Sequence, residues 1–104
     1  MENLFANLPK DTSQEHFKDL LVADGLRVER IVSYGQSSPE SGWYDQAENE
    51  WVSVLEGSAV IEFEDGEVIA LAKGDCLNIP AHKKHRVAET AANTATIWLA
   101  IFYR

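Results

Sequence analysis

At 104 residues the chain has room for one domain, and its 45% hydrophobic, 25% charged and 10% aromatic content is that of a globular protein and excludes a disordered one. Nine Lys and Arg against seventeen Asp and Glu leave a net charge of -8, which repels phosphate backbones and anionic membranes and argues against nucleic acid as a partner. The single cysteine, Cys76, leaves no intrachain disulfide, Met1-Glu2-Asn3-Leu4 is neither basic nor an apolar stretch, and the longest apolar run, 97–103, is far short of the ~20 residues that span a bilayer, so a cytoplasmic protein with no membrane partner is expected.

Thr12-Ser13-Gln14-Glu15 reads as a capping box with Thr12 as N-cap, and Phe17, Leu20 and Leu21 follow at helical spacing. One short N-terminal helix is therefore expected, carrying His16 on its exposed side and stopping at Gly25. From Leu26 the apolar period becomes two, which gives a first strand over 26–33 and then a loop containing Gly35, Ser37, Ser38, Pro39, Ser41 and Gly42. Trp51 to Leu55, Ala59 to Phe63 and Glu67 to Leu71 form a meander, with turns at Glu56-Gly57 and Asp65-Gly66. Lys73-Gly74-Asp75 turns into a strand over 76–79, Pro80 ends it, 85–89 resumes, and 94–103 closes the chain. In that last strand Ile97, Leu99 and Ile101 point one way while Trp98, Ala100 and Phe102 point the other, so both faces need cover. One can line a barrel; the other needs the helix, a second sheet or another subunit, and a homodimer through apolar strand faces is expected. The pattern predicts an all-β sandwich or barrel of antiparallel strands in a single domain, 1–104, with an arm and helix over 1–25 and the barrel over 26–104.

Two spacings resemble the motifs of the cupins, small jelly-roll barrels. Glu50 is followed after six residues by Gly57, the second half of G-x5-H-x-H-x3,4-E-x6-G, and Gly74, Pro80 and His85 match G-x5-P-x-G-x2-H-x3-N. Tyr44 and Gln46 stand at the two histidine positions of the first motif, and His82 and Glu89 stand where the second has glycine and asparagine. The chain is also similar to small single-domain bacterial cupins with a WYDQ segment, here Trp43-Tyr44-Asp45-Gln46. The resemblance implies a cupin jelly-roll barrel and a divalent metal (Zn, Fe, Mn or Ni) at the barrel mouth, held by Glu50 and His85 with Gln46, Tyr44 or His82 completing the shell. It implies no single reaction; oxygenase or isomerase chemistry on a small molecule are the options it offers.

The residues themselves leave alternatives open. Glu50 heads an alternating row with Val52 and Val54, so its carboxylate needs a metal or a hydrogen-bonding partner, unless it stands solvated at the mouth. His85 can serve as a metal ligand, as a neutral partner of Glu50 or Tyr44, or with Glu50 as a catalytic acid and base pair. His82 joins such a set only if the turn at Pro80 brings it to the side of His85, because in extended chain the two face opposite ways. Trp43 and Tyr44 can wall the mouth or plug it; Trp51 and Trp98 read as core or interface, and Cys76 as a buried, inert thiol. Lys83, Lys84 and Arg86 form a basic cluster that is either a solvated turn or a draw for an anionic substrate. Beside the metal-dependent reading stands a metal-free module that binds or senses a small ligand.

Overall fold

A computed structural model describes residues 1–39 and 41–104. Eight strands follow one another: β1 (His16–Ala23), β2 (Leu26–Ser33), β3 (Asn49–Glu56), β4 (Ser58–Phe63), β5 (Val68–Ala72), β6 (Cys76–Ile79), β7 (His85–Thr90) and β8 (Thr96–Tyr103). They form two antiparallel sheets, one of five strands in the order β1-β2-β8-β3-β6 and one of three in the order β5-β4-β7. Register follows the hydrophobic rows. Val52 lies opposite Ala100 and Val54 opposite Trp98, and both pairs meet Ala59, Ile61 and Phe63 of β4 in the core. A slip of one residue would turn each of these side chains to the other face, so burial pins the pairing. Trp98, 3% exposed, is thus a core residue.

The expected N-terminal helix does not form. His16–Ala23 is a strand that pairs antiparallel with β2 from His16 opposite Val32 to Ala23 opposite Leu26, with a bulge between Asp19 and Leu21. The tight connection is Asp24-Gly25, where Gly25 takes φ +70. Without β1, the outer edge of β2 would leave a row of N–H and C=O groups without ladder partners, and that demand outweighs the weak preference carried by three apolar residues at helical spacing. The capping residues are used otherwise: the Ser13 backbone N–H donates to Asp11 Oδ1 at 2.9 Å, and Glu15 Oε2 accepts from Ser33 Oγ at 2.6 Å. His16, expected on an exposed helix face, lies half-buried on β1, edge-on to Tyr34.

The core face of β8 is buried, and its outer face is covered only in part, without a helix: Leu99 and Ile101 remain half-buried there. Trp98, Ala100 and Phe102 point into the core, while Ile97 is 2% exposed on the opposite face beside Val32 at 1%. On that side the N-terminal arm is tied down by Arg30, which donates to the Ala6 carbonyl at 3.0 Å, and by the Tyr34 hydroxyl, which donates to the Pro9 carbonyl. Cys76 is a second correction: it pairs with Ser53 on the outward row and is exposed. Among the described residues no helix is long and apolar enough to cross a membrane.

Gly57 makes the turn from β3 to β4 at φ +86, and a Cβ added there would lie 2.4 Å from Thr96 Oγ1 and 2.8 Å from Thr96 Cα. Backbone strain and collision add, so Gly57→Ala is expected to destabilise the fold by about 3 kcal/mol in urea unfolding.

Candidate acid–base and metal site at the barrel mouth

One end of the space between the sheets opens as a cavity of about 110 Å³. Its polar lining is Tyr44, Gln46, Glu50 and His85, set among Val52, Ile61, Val87, Trp98 and Phe102. Glu50 reaches it from the inward row of β3, opposite Phe102 and Ile79. His85 reaches it from the first position of β7, opposite Phe63 on β4. Tyr44 comes from the connection between β2 and β3, whose backbone bridges to His85: the Tyr44 N–H donates to the His85 carbonyl at 2.8 Å and the His85 N–H returns the bond at 3.2 Å. The stretch 44–50 and the distant His85 are thereby brought together.

The protonation geometry of His85 is fixed by a backbone atom. Nδ1 lies 2.9 Å from the Lys83 carbonyl oxygen, which can only accept, so Nδ1 carries a proton. That leaves Nε2 facing Glu50 Oε1 at 3.4 Å, with the two side chains 5% and 12% exposed. The same Oε1 accepts from Gln46 Nε2 at 2.7 Å. Tyr44 and Phe63 rings lie 5.8 and 6.2 Å from the imidazole centroid and hold its plane. Burial is the largest influence on the His85 pKa and pushes it down; the hydrogen bonds to Glu50 and the Lys83 carbonyl, with the Glu50 charge, more than offset it, so the net shift is upward.

His82 does not join the set. It sits at the glycine position of the motif and keeps the left-handed conformation a glycine would take, φ +64, which turns its ring outward to Asp45 Oδ1 at 2.8 Å. Trp43 also stays outside the cavity, beneath the Arg86 guanidinium at 5.0 Å in an adjoining groove that shares Tyr44 as a wall. The basic cluster is matched by carboxylates: Lys83 with Glu67 at 3.4 Å, Lys84 with Glu64 at 3.7 Å and Arg86 with Glu62 at 3.0 Å. Sequence reasoning missed the Lys83 carbonyl, which carries no side-chain signal, and the cavity walls Trp98 and Phe102, whose shared face was legible in the alternation of β8.

The cupin domain family profile matches residues 30–102, most of the chain. The chain belongs to the cupin family. The chain is 45% identical in sequence to a Ralstonia eutropha protein provisionally named a mannose-6-phosphate isomerase, with 99% of this chain and 96% of that one covered and a TM-score of 0.94. A cupin superfamily protein of Desulfitobacterium hafniense is 24% identical, with 92% and 83% covered and a TM-score of 0.76; this likeness is one of fold. The cupin domain of Schizosaccharomyces pombe Cnp3 shares the fold at 10% identity, with 89% and 63% covered and a TM-score of 0.75. No curated protein matches the chain.

Because the folded-state pKa of His85 lies above its ordinary value of 6.5, the stability it contributes is fully present below about pH 6.5 and is lost as pH rises through the raised value. Glu50→Gln removes the charge that raises it. Urea unfolding of both proteins from pH 5.5 to 9 is expected to give the largest wild-type advantage at the acid end, shrinking as the pH rises.

Proposed function

We propose that this cupin acts on a small oxygen-bearing molecule by proton transfer at the barrel mouth, with Glu50 as the base and His85 as the proton donor, in chemistry of the isomerase type. The observation that carries the reading is the Lys83 carbonyl on Nδ1, which commits Nε2 to the cavity opposite the Glu50 carboxylate. A ligand carbonyl entering the cavity beside the pair would accept a hydrogen bond from Nε2–H, while Glu50 takes the proton from the neighbouring carbon. The Glu50 carboxylate and the Lys83 carbonyl shift the imidazole pKa upward and so favour the form that carries that proton. The largely apolar lining lowers the local dielectric around the pair and strengthens both interactions. At about 110 Å³ the cavity is well below the roughly 300–1,000 Å³ of pockets that enclose a drug-sized ligand, so the reacting end enters and the remainder lies outside. The isomerase name of the Ralstonia eutropha relative supports the same class of chemistry.

A second reading rests on the same pair. Glu50 Oε1 and His85 Nε2 converge at a spacing that two ligands of one divalent metal adopt, and Gln46 and Tyr44 border the same space. The donor set fits as a weak seat: two strong ligands, an amide now turned with its nitrogen toward the carboxylate, and no group of three His, Cys, Asp or Glu among the described residues. A metal bound there would supply Lewis-acid polarisation of the ligand oxygen, and Glu50 and His85 would hold it.

Deuterium exchange in D2O, followed by NMR over a panel of small aldoses, ketoses and hydroxy ketones, tests the leading reading. Exchange at the carbon beside the carbonyl is expected with chelator-treated protein, reduced ~10²-fold or more in Glu50→Gln and in His85→Gln. Absence of exchange across the panel, or exchange indifferent to both substitutions, would overturn it. Near-stoichiometric divalent metal in the purified protein, lost in His85→Ala, would move the assignment to the second reading.

A further inference from the structure

Beyond Tyr44 the mouth continues into a second space. The cavity of about 110 Å³ that holds Glu50 and His85 and an adjoining groove of about 300 Å³ share Tyr44 as a common wall. Tyr44 is 51% exposed, and its backbone is tied to that of His85 by two hydrogen bonds, so the junction keeps a set position beside the imidazole. Alone, the mouth admits only the reacting end of a ligand. With the groove, the space comes within the roughly 300–1,000 Å³ of pockets that enclose a whole small molecule.

The groove is built of rings and hydroxyls. Trp43 and Pro39 border it with Tyr44, and Ser38 and Ser41 bring hydroxyl groups. Ser38 is placed by β7: its N–H donates to the Val87 carbonyl at 2.8 Å, and its Oγ accepts from the Val87 N–H at 3.0 Å, which leaves the hydroxyl proton to be donated. Trp43 is half-buried, with the Arg86 guanidinium 5.0 Å from its ring centre.

Charge decides what such a groove accepts. Arg86, at its edge, is paired with Glu62 at 3.0 Å, and the neighbouring cations Lys83 and Lys84 are paired with Glu67 and Glu64. The chain as a whole carries a net charge of -8, a field that repels anions. A phosphate or carboxylate group would therefore have to compete with carboxylates already in place for every one of these cations. A neutral, polyhydroxylated body meets the walls without that conflict. Its C–H groups, polarised by the hydroxyls they carry, suit the negative face of an aromatic ring, and its hydroxyls can exchange hydrogen bonds with Ser38, Ser41 and the Tyr44 phenol.

We propose that the ligand of this cupin is an uncharged molecule of the sugar class, with its carbonyl end in the mouth and its hydroxylated body in the groove, and that Trp43 and Tyr44 select it. The inference rests on the acid–base reading of the mouth and deepens it: Glu50 and His85 supply the chemistry, and the groove supplies the choice of substrate. The same charge argument disfavours a phosphorylated sugar.

The test is a titration of the 15N-labelled full chain with D-mannose and D-fructose, and separately with their 6-phosphates, at matched ionic strength. The signal followed is the Trp43 indole N–H, assigned by its loss in Trp43→Leu. A saturable shift is expected with at least one free sugar, and its phosphate ester is expected to bind about tenfold more weakly or worse. Trp43→Leu keeps an apolar side chain but no ring, and is expected to weaken the free sugar about fivefold or more, read from the Ser41 and Arg86 amides. Tyr44→Ala changes an exposed side chain and is an independent variant should Trp43→Leu not fold; a loss of about threefold is expected. No saturable response of Trp43 to either free sugar overturns the proposal, as does a phosphate ester bound as tightly as the free sugar, or binding indifferent to both substitutions. The shift needs no turnover, so the two readings fail separately. A shift without deuterium exchange overturns the chemistry of the mouth and supports the groove, whereas exchange without a shift overturns the groove alone.

Discussion

A carboxylate carried into an apolar wall must find a partner, and that requirement at Glu50 organises the barrel mouth. The alternation that buries Val52 and Val54 forces the side chain of Glu50 inward as well. Its partners come from elsewhere in the chain: Gln46 from the approach to β3, and His85 from the smaller sheet, held in turn by the carbonyl of Lys83. The mouth is thus set by the fold of both sheets together, and the backbone bridge between Tyr44 and His85 closes one side of it.

Most of the barrel was legible because its strands obey a period of two and are punctuated by glycines and Asp-Gly turns. The first strand of the alternating pattern, 26–33, coincides with β2, and 76–79 with β6. The segment 16–23 was not legible from its own pattern, because it folds as a strand for the sake of its neighbour. Phe17, Leu21 and Val22 stay exposed, so their burial did not select the structure; pairing along β2 did. The overlooked local signal was Asp24-Gly25 between two stretches that pair as a hairpin.

The motif spacing located Glu50 and His85, and burial logic explained why both need company. It left His82 undecided because spacing alone does not give backbone conformation. Once the position is known to be left-handed, the outward ring follows and the pairing with Asp45 is natural. Cys76 was read as buried because Leu77 and Ile79 flank it, yet a strand of four residues offers alternate faces, and the thiol takes the outer one.

The floor of the mouth is held from behind. Trp98 lines the cavity and donates its indole N–H to Ser33 Oγ at 3.1 Å, and Ser33 donates in turn to Glu15. A ring anchored at its far end inside close-packed surroundings has no direction in which to yield. The opening therefore works as a gauge of fixed depth. Under the proposed chemistry such a gauge would sort molecules by the size of the end they present, so two compounds with the same reactive group and different terminal bulk would be told apart before any proton moves.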